Sequence, residues 1–469
     1  MLITLDKSSD TPLTEQIITG IKMLIDNRAL RHNMRMPSIR TFSSVHAISR
    51  FTTVQAFDRL VAAGYLQSRL GSGFYVLSQS IQTHNTDTPV KLERAMDVLW
   101  LLRQTLSQPS NSLQPVPGAG WLPHDWMDTT GIQKSLRNLA QKPARYLTQY
   151  GSPQGYLPLR QQLQQRLGEY QVNANENQIL LTMGATHALD LIARFYISPG
   201  DTVLVDDPGY FILFGTLKSY GANVVGVPWK KDGPDIEKLS ALIKQHKPKL
   251  FFTNTILHNP TGASISQAVA YRLLALAEQA KMLIIEDDVF GDFQPTIMSR
   301  LATLDQLNRV IYISSFSKTI SASMRVGFIA GSAPIIQQLT DVKLLSGITT
   351  SEINERMVFQ MLANGQYRKH LKKLHNKLQQ AREQALNNFE QLKLAPYLEP
   401  QGGMFLWVKM PAQVSIIELT NQAAKQNIML APGSLFKPHQ EPSEWMRFNV
   451  ASCNEKLHLE FIKRYLKNA

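Results

Sequence analysis

This sequence predicts a two-domain chain: a small α+β domain of three helices and a hairpin, then a large α/β domain ending in a smaller α+β part. Three observations carry that expectation. The first 77 residues divide into three short amphipathic stretches and two strand-like runs around a glycine turn. A polar segment follows, SQSIQTHNTDTP at 78–89, with little to bury. From about residue 120 onward, β-branched runs alternate with helical stretches, the pattern of a mostly parallel sheet flanked by helices. The length of 469 residues suits two or three domains, and 43% hydrophobic with 18% charged residues supplies a large core.

In the first domain, Pro12–Arg28 reads as a helix because Leu13, Ile17, Ile21, Leu24 and Ile25 fall on one stripe. Past the turn at Arg35-Met36-Pro37, Ser38 is a suitable N-cap for a short helix from Ile39 to about His46. Thr52-Thr53-Val54-Gln55 fits a capping box, with Thr52 at the cap and Gln55 reaching back, and opens a third helix. Val54, Phe57, Leu60 and Val61 are its expected core face and Gly64 its end. Tyr65–Leu70 and Phe74–Val76 flank Gly71-Ser72-Gly73 as a hairpin.

Three helices and a hairpin form the layout of a winged helix-turn-helix, whose third helix enters the major groove with its N-terminal residues toward the bases. Arg50, Thr52 and Thr53 sit at that end, where the helix dipole also favours phosphate. Arg40 and Arg69 are placed for the DNA backbone. Residues 1–80 carry nine Lys/Arg against five acids, about +4, and the whole chain has a net charge of +13. Both suit a polyanionic partner, although any one of these arginines is equally well a solvated surface charge.

The stretch Pro37-Ser38-Ile39-Arg40, Ser49-Arg50-Phe51-Thr52-Thr53-Val54, Arg59-Leu60, Gly64-Tyr65-Leu66 and Arg69-Leu70-Gly71-Ser72-Gly73 closely resembles GntR-type DNA-binding domains. The resemblance covers nearly all of residues 11–77. It implies contacts with double-stranded DNA from Ser38, Arg40, Ser49, Arg50, Thr52, Thr53, Arg59, Arg69, Gly71 and Ser72. One departure is Ala47-Ile48, where a glycine commonly makes the turn between the two helices.

Beyond the first domain, Val90–Leu106 reads as a helix and Gln108–Gly120 as a loop, so 78–114 is expected to be a linker containing a helix. The larger domain is expected over 115–469, its large part about 120–350 and its small part about 351–469. Strand candidates are Gln178–Leu181, Thr202–Val205, Asn223–Val227, Lys249–Thr253, Met282–Ile285 and Val310–Ile313. The loops behind them are chemically rich. Gly184-Ala185-Thr186-His187 opens a helix directly after a strand, so its N–H groups can bind phosphate. Asn259-Pro260-Thr261-Gly262, Asp287, Ser315-Phe316-Ser317-Lys318 and Arg325-Val326-Gly327 follow in order. Further on, Tyr367–Leu392 reads as a long polar helix, and Tyr397-Leu398 through Phe405–Val408 as strand, glycine, strand.

Together with Tyr150–Gly155 and Leu159-Arg160, these loops resemble the fold type I pyridoxal-phosphate enzymes, the aminotransferase family, over roughly residues 115–469. The resemblance implies pyridoxal 5'-phosphate as a Schiff base on Lys318, with Asp287 keeping the pyridine nitrogen protonated. Lys318 and Asp287 would be the catalytic pair. Asn259 would bond the ring's phenolic oxygen and Tyr210 would stack on the ring. Gly184, Ala185, Thr186, Ser315, Ser317 and Arg325 would hold the phosphate, joined by Tyr150 from a partner subunit. Arg447 would clamp the carboxylate of a substrate or effector. One departure is Phe290, three residues after Asp287, where many of these enzymes have Tyr; it removes a phenol from the cofactor's oxygen and puts fast transamination in question.

A winged helix ahead of such a domain is the arrangement of the MocR subgroup of GntR regulators, which this chain resembles. That implies a homodimer whose large domain senses pyridoxal phosphate, an amino acid or an amine and thereby controls DNA binding. An active aminotransferase with an appended DNA-binding module is the alternative, because Lys318, Asp287 and Arg447 are all in place. The single cysteine, Cys453, excludes an intramolecular disulfide and has no neighbouring metal ligands, so no metal is expected. Apolar runs such as Leu273–Ala277 fall far short of the about 20 residues a membrane span needs. The expectation is a cytoplasmic protein without a membrane partner.

Overall fold

The computed structural model describes residues 3–7, 9, 11–26, 29–30, 33–69, 72–77 and 116–468. The chain divides into two compact units, Met1–Val90 and Lys91–Ala469. The expected linker and its helix over 78–114, and Gly71 and Leu70 of the hairpin turn, lie outside the described residues.

In the N-terminal unit, helices α1 (Leu13–Asp26), α2 (Ile39–Val45) and α3 (Arg50–Ala62) precede strands β1 (Leu66–Arg69) and β2 (Gly73–Val76). Ile17, Ile18 and Ile21 of α1 meet Phe42 of α2, Phe57 and Leu60 of α3, and Leu66 and Val76 of the hairpin in one core. Phe57 sits edge-on to both Phe42 and Phe74, each pair with ring centroids 5.2 Å apart.

Two local expectations are corrected. Ser49 rather than Thr52 caps α3, its hydroxyl accepting from the Thr52 N–H at 2.9 Å, so the helix begins at Arg50. Of its expected core face, Phe57 and Leu60 are buried and are joined by Thr53 and Ala56, while Val54 and Val61 are only partly buried. Thr53 can be buried because its hydroxyl lies 2.8 Å from that of Ser43 and donates to the Ser49 carbonyl. Ala47 adopts φ +49°, the left-handed turn between α2 and α3 that glycine makes without steric cost. The hairpin also gains a short neighbour the sequence does not announce: Arg35 bridges to Tyr75, and Met36 N–H donates to Phe74 O at 2.8 Å.

The second unit is built on eight strands: β3 (Ile179–Thr182), β4 (Thr202–Asp207), β5 (Asn223–Lys230), β6 (Gly233–Pro234), β7 (Leu250–Thr253), β8 (Leu283–Asp287), β9 (Val310–Ser315) and β10 (Gly327–Ala330). Their order across the sheet is β3-β10-β9-β8-β7-β4-β5-β6. All six expected strands are present, but the sheet is mixed. Strands β9, β8, β7, β4 and β5 run parallel, whereas β10 is antiparallel to both β3 and β9, and β6 to β5. The connection 316–326 is too short to hold a crossover helix, so β10 returns antiparallel beside β9. Alternate strand residues serve two cores: Leu181, Leu204, Phe251 and Ile284 on one face, Leu180, Val203, Phe252 and Ile285 on the other.

A second, antiparallel sheet of β11 (Phe405–Lys409), β12 (Ala431–Pro432) and β13 (Trp445–Asn449) packs with the long helix Gln366–Gln391 in a separate core. Tyr397-Leu398 is not a strand. Only Pro396 bridges to Val408, and prolines 396 and 400 have no N–H to continue a ladder. Cys453 is packed in this core, and burial pushes its thiol up to about 12. Among the described residues no helix is long and apolar enough to cross a membrane.

Candidate functional site

In the N-terminal unit, α3 presents its first turn to solvent. Arg40 and Arg50 are exposed, and no ion pair is formed by either among the described residues. Ser38 and Ser49 cap α2 and α3, leaving their hydroxyls at the helix N-termini. Thr52 shares a hydrogen bond with Ser49 and is half-buried. Arg69 lies over the Tyr75 ring at 4.3 Å and donates to Asn33 Oδ1, and the Ser72 hydroxyl lies 2.6 Å from that of Tyr75. Thr53 is the correction: with no exposed surface it packs α3 onto α2 and cannot reach a duplex. Arg59, in the last turn of α3, is ion-paired with Glu15 of α1.

In the second unit the parallel register sets the C-terminal ends of β7, β8 and β9 side by side. Thr253 pairs with Glu286, and Asp287 with Ile313. The loop 254–259, Asp287 and Ser315–Lys318 therefore leave the same edge. The antiparallel pairs of β10 bring Gly327 beside both Thr182 and Ser315. This delivers Arg325 to the N-terminus of the helix Gly184–Tyr196. There the Arg325 guanidinium donates to Met183 O at 3.0 Å and lies 3.4 Å from the Ser317 hydroxyl, itself 3.0 Å from that of Ser315. A Cβ on Gly184, at φ +77°, would lie 2.9 Å from Arg325. Helix N–H groups, two hydroxyls and a guanidinium thus face one small space, a complete anion cradle.

Next to the cradle, Lys318 Nζ donates to Gly120 O at 2.6 Å. Burial, then the Arg447 and Arg325 cations, lower its pKa to about 8. Burial and the neighbouring Asp288 raise Asp287 to about 7, and its Oδ1 is enclosed without a hydrogen-bond partner. Burial raises Tyr210 to about 12, and its hydroxyl pairs with Thr186. Arg447, on β13, is buried against Phe405 and Phe436. It donates to Asn259 Oδ1 and Gly118 O, both at 2.7 Å, and its Nε has no partner. Burial lowers its pKa to about 9. Phe290 is buried with its ring edge-on to Phe405, centroids 5.2 Å apart. Tyr150 stands apart, 80% exposed.

Asn254, which sequence reasoning passes over, ties this edge together. Its side chain accepts from Asn259 N–H and donates to Asp287 O, both at 2.7 Å, and its own N–H donates to Asp206 Oδ2 at 2.8 Å. Asp206 in turn faces His258, which stacks on Trp229 with ring centroids 4.2 Å apart. No signal could have singled it out, since a lone Asn five residues before an Asn-Pro-Thr-Gly turn has no distinctive spacing.

Comparison with known proteins agrees with this geometry. Residues 124–464 match the family of aminotransferase class I and II, and residues 13–76 the bacterial regulatory proteins of the gntR family. The chain belongs to the aminotransferase class I and II family and carries a gntR-type domain ahead of it, an order consistent with the MocR subgroup. It is 28% identical over 459 residues to the uncharacterised HTH-type transcriptional regulator YdfD of Bacillus subtilis, covering 95% of the chain and 94% of that protein. It is 27% identical to the HTH-type transcriptional regulator NorG of Staphylococcus aureus over 86% of the chain and 92% of the relative. Among solved structures, the Pyrococcus horikoshii kynurenine aminotransferase superposes with a TM-score of 0.72 at 26% identity, covering 78% of this chain and 94% of that one. LysN, the α-aminoadipate aminotransferase of Thermus thermophilus, shares the fold with a TM-score of 0.71 at 23% identity, covering 78% and 94%.

The chain is thus a DNA-binding transcription regulator carrying a pyridoxal-phosphate domain. The residues fit that cofactor on two independent grounds. The buried Asp287 Oδ1 has no hydrogen-bond partner and is suited to accept from an N–H such as that of a protonated pyridine. The cradle of Gly184, Ser315, Ser317 and Arg325 joins a helix N-terminus, two hydroxyls and a guanidinium, donors suited to a phosphate. Bound there, the cofactor supplies an electron sink for its covalent partner. The protein's own share would be positional: Lys318 would offer an amine whose pKa is lowered to about 8, Asn259 an amide to the ring oxygen, and Arg447 a cation bonded to Asn259.

Proposed function

We propose that this regulator holds pyridoxal phosphate on Lys318, Asp287, Asn259, Tyr210 and the Gly184–Thr186, Ser315, Ser317 and Arg325 cradle. An amino acid or amine entering beside it is the signal that changes DNA affinity. The observation that carries the reading is Arg447. It is a buried cation with no carboxylate paired to it among the described residues, seated on the small sheet and bonded to Asn259 in the loop that follows β7 of the large one. An incoming carboxylate would compete with Asn259 and Gly118 for its N–H groups, so occupancy alters the link between the two sheets. A cavity of about 680 Å³ lined by Trp121, Leu122, Trp126, Met127, Ser317 and Ile320 leaves room for an effector side chain. We further propose a cytoplasmic homodimer, in which the exposed Tyr150 completes the partner's phosphate site and the two heads read two half-sites.

A second reading, an active aminotransferase with an appended DNA-binding module, is favoured by the intact Lys318 and Asp287 pair. One experiment separates them: anisotropy binding to DNA upstream of the protein's own gene, with and without pyridoxal phosphate and a panel of amino acids. Salt-sensitive, sequence-specific binding that a ligand shifts is expected. Absence of DNA binding, alongside steady amino-group transfer to a keto acid, would replace the regulator with the enzyme. In Lys318→Ala the visible absorbance of the covalently held cofactor is expected to vanish; its survival would move the anchor to another lysine.

A further inference from the structure

We infer that Phe51 is a base-reading residue, its ring packing on the 5-methyl group of a thymine in the major groove. The inference rests on the reading of the N-terminal unit as the DNA-binding head. Phe51 is 75% exposed in the first turn of α3. Thr53, Ala56, Phe57 and Leu60 define the buried face of that helix. At about 100° per residue, Phe51 projects almost diametrically away from that face, in one stripe with Gln55, Asp58 and Ala62, all exposed. Helical side chains lean toward the N-terminus, so within this stripe the phenyl ring leads into whatever the helix enters.

A phenyl ring cannot exchange hydrogen bonds with base edges. The apolar feature a major groove offers it is the thymine methyl, which also distinguishes thymine from the other bases. The surroundings select DNA over a second copy of the chain. Arg50 adjoins the ring in sequence and Arg40 lies on α2, both exposed and without ion pairs among the described residues. Such a cationic rim attracts phosphates and repels its own copy. The arginines would then hold the backbone while Phe51, between them and Gln55, meets the base. Charge alone points to Arg50; the phase of the buried face points to Phe51.

The test uses the full chain loaded with pyridoxal phosphate and a duplex enriched by that chain from a randomised library. Each thymine is replaced in turn by deoxyuridine, which deletes only the methyl, and affinity is read by anisotropy. At one position or more the native chain is expected to bind about fourfold more weakly, the loss expected for one buried methyl. Phe51→Ala is expected to bind the thymine duplex more weakly and to ignore the uridine at that position. Phe51→Leu keeps an apolar contact and is expected to retain part of the sensitivity. Because Phe51 is exposed, both variants should unfold at the native temperature. Indifference of the native chain to every uridine, or undiminished sensitivity in Phe51→Ala, overturns the inference. Failure of the head to enrich any sequence looks different, and would remove the DNA-binding reading together with this one.

Discussion

Lys318 must lose a proton before its amine can attack the aldehyde of pyridoxal phosphate, so covalent capture by the apoprotein follows the neutral fraction of this lysine. Burial first, then Arg447 and Arg325, bring its pKa from 10.5 to about 8, against the opposing pull of Asp287. At pH 7 an ordinary lysine is neutral roughly once in 3,000, and one titrating near 8 about once in eleven, a gain of about 300-fold. Because the shift is downward, capture should rise with pH and level off above about 8, in place of climbing toward 10.5. Arg447→Leu removes the largest charge that disfavours the ammonium, so the midpoint moves up. Asp287→Asn removes the anion that favours it, so the midpoint moves down. The assay is the rate at which visible absorbance appears when apoprotein meets a fixed excess of cofactor, measured from pH 6 to 10 and referred to the native chain. A native midpoint at the value of a free lysine, or two variants that move it the same way, would refute the electrostatic account of this pocket.

Other expectations are simpler. Asn254→Ala leaves Asn259 N–H and Asp287 O without their side-chain partner and should weaken cofactor affinity by about five- to 150-fold, from about 1–3 kcal/mol of lost buried hydrogen bonding. Equilibrium titration checks it, and affinity within twofold of native would make Asn254 a bystander. Thr53→Val should lower the stability of the head by about 0.5–1.5 kcal/mol through loss of the Thr53 bonds to Ser43 and Ser49, the Ser43 hydroxyl keeping its bond to Ile39 O, while the salt slope of DNA binding stays the same. Arg50→Ala should do the reverse, flattening that slope by about one phosphate contact at unchanged stability. Ala47→Gly should stabilise the head by roughly 0.5–1 kcal/mol. A left-handed alanine costs about 1–2 kcal/mol, partly offset by glycine's freer unfolded chain. Thermal unfolding reads the sign.

Much of the molecule is legible locally because its signals are local. A helix shows itself through the recurrence of Ile17, Ile21 and Leu24, and a buried parallel strand through a run such as Leu283-Ile284-Ile285. The phosphate cradle and Lys318 lie immediately after strands, where short motifs are visible as contiguous letters. Errors arise where the deciding contact is not contiguous. Thr53 reads as a DNA contact because it stands at a helix start, but the helix begins at Ser49 and α2 covers it. Gly327–Ala330 is not among the strand candidates, its first residue being read with the Arg325-Val326-Gly327 loop, yet its antiparallel pairing carries Arg325 to Gly184.

By itself, then, the sequence determined the two domain classes, the order of their elements and the residue types capable of holding a phosphate, a ring and a carboxylate. Tertiary structure alone decided which of them face each other. The register of β7, β8 and β9 put Asn254 between Asp287 and Asn259, and the pairing of β13 brought Arg447 within 2.7 Å of Asn259 across 188 residues of chain. It also decided how the groups behave, because the depressed Lys318 and the raised Asp287 come from burial and from charges supplied by distant segments. Desolvation and long-range pairing are properties of the packed chain, and neither is written in any stretch of neighbouring residues.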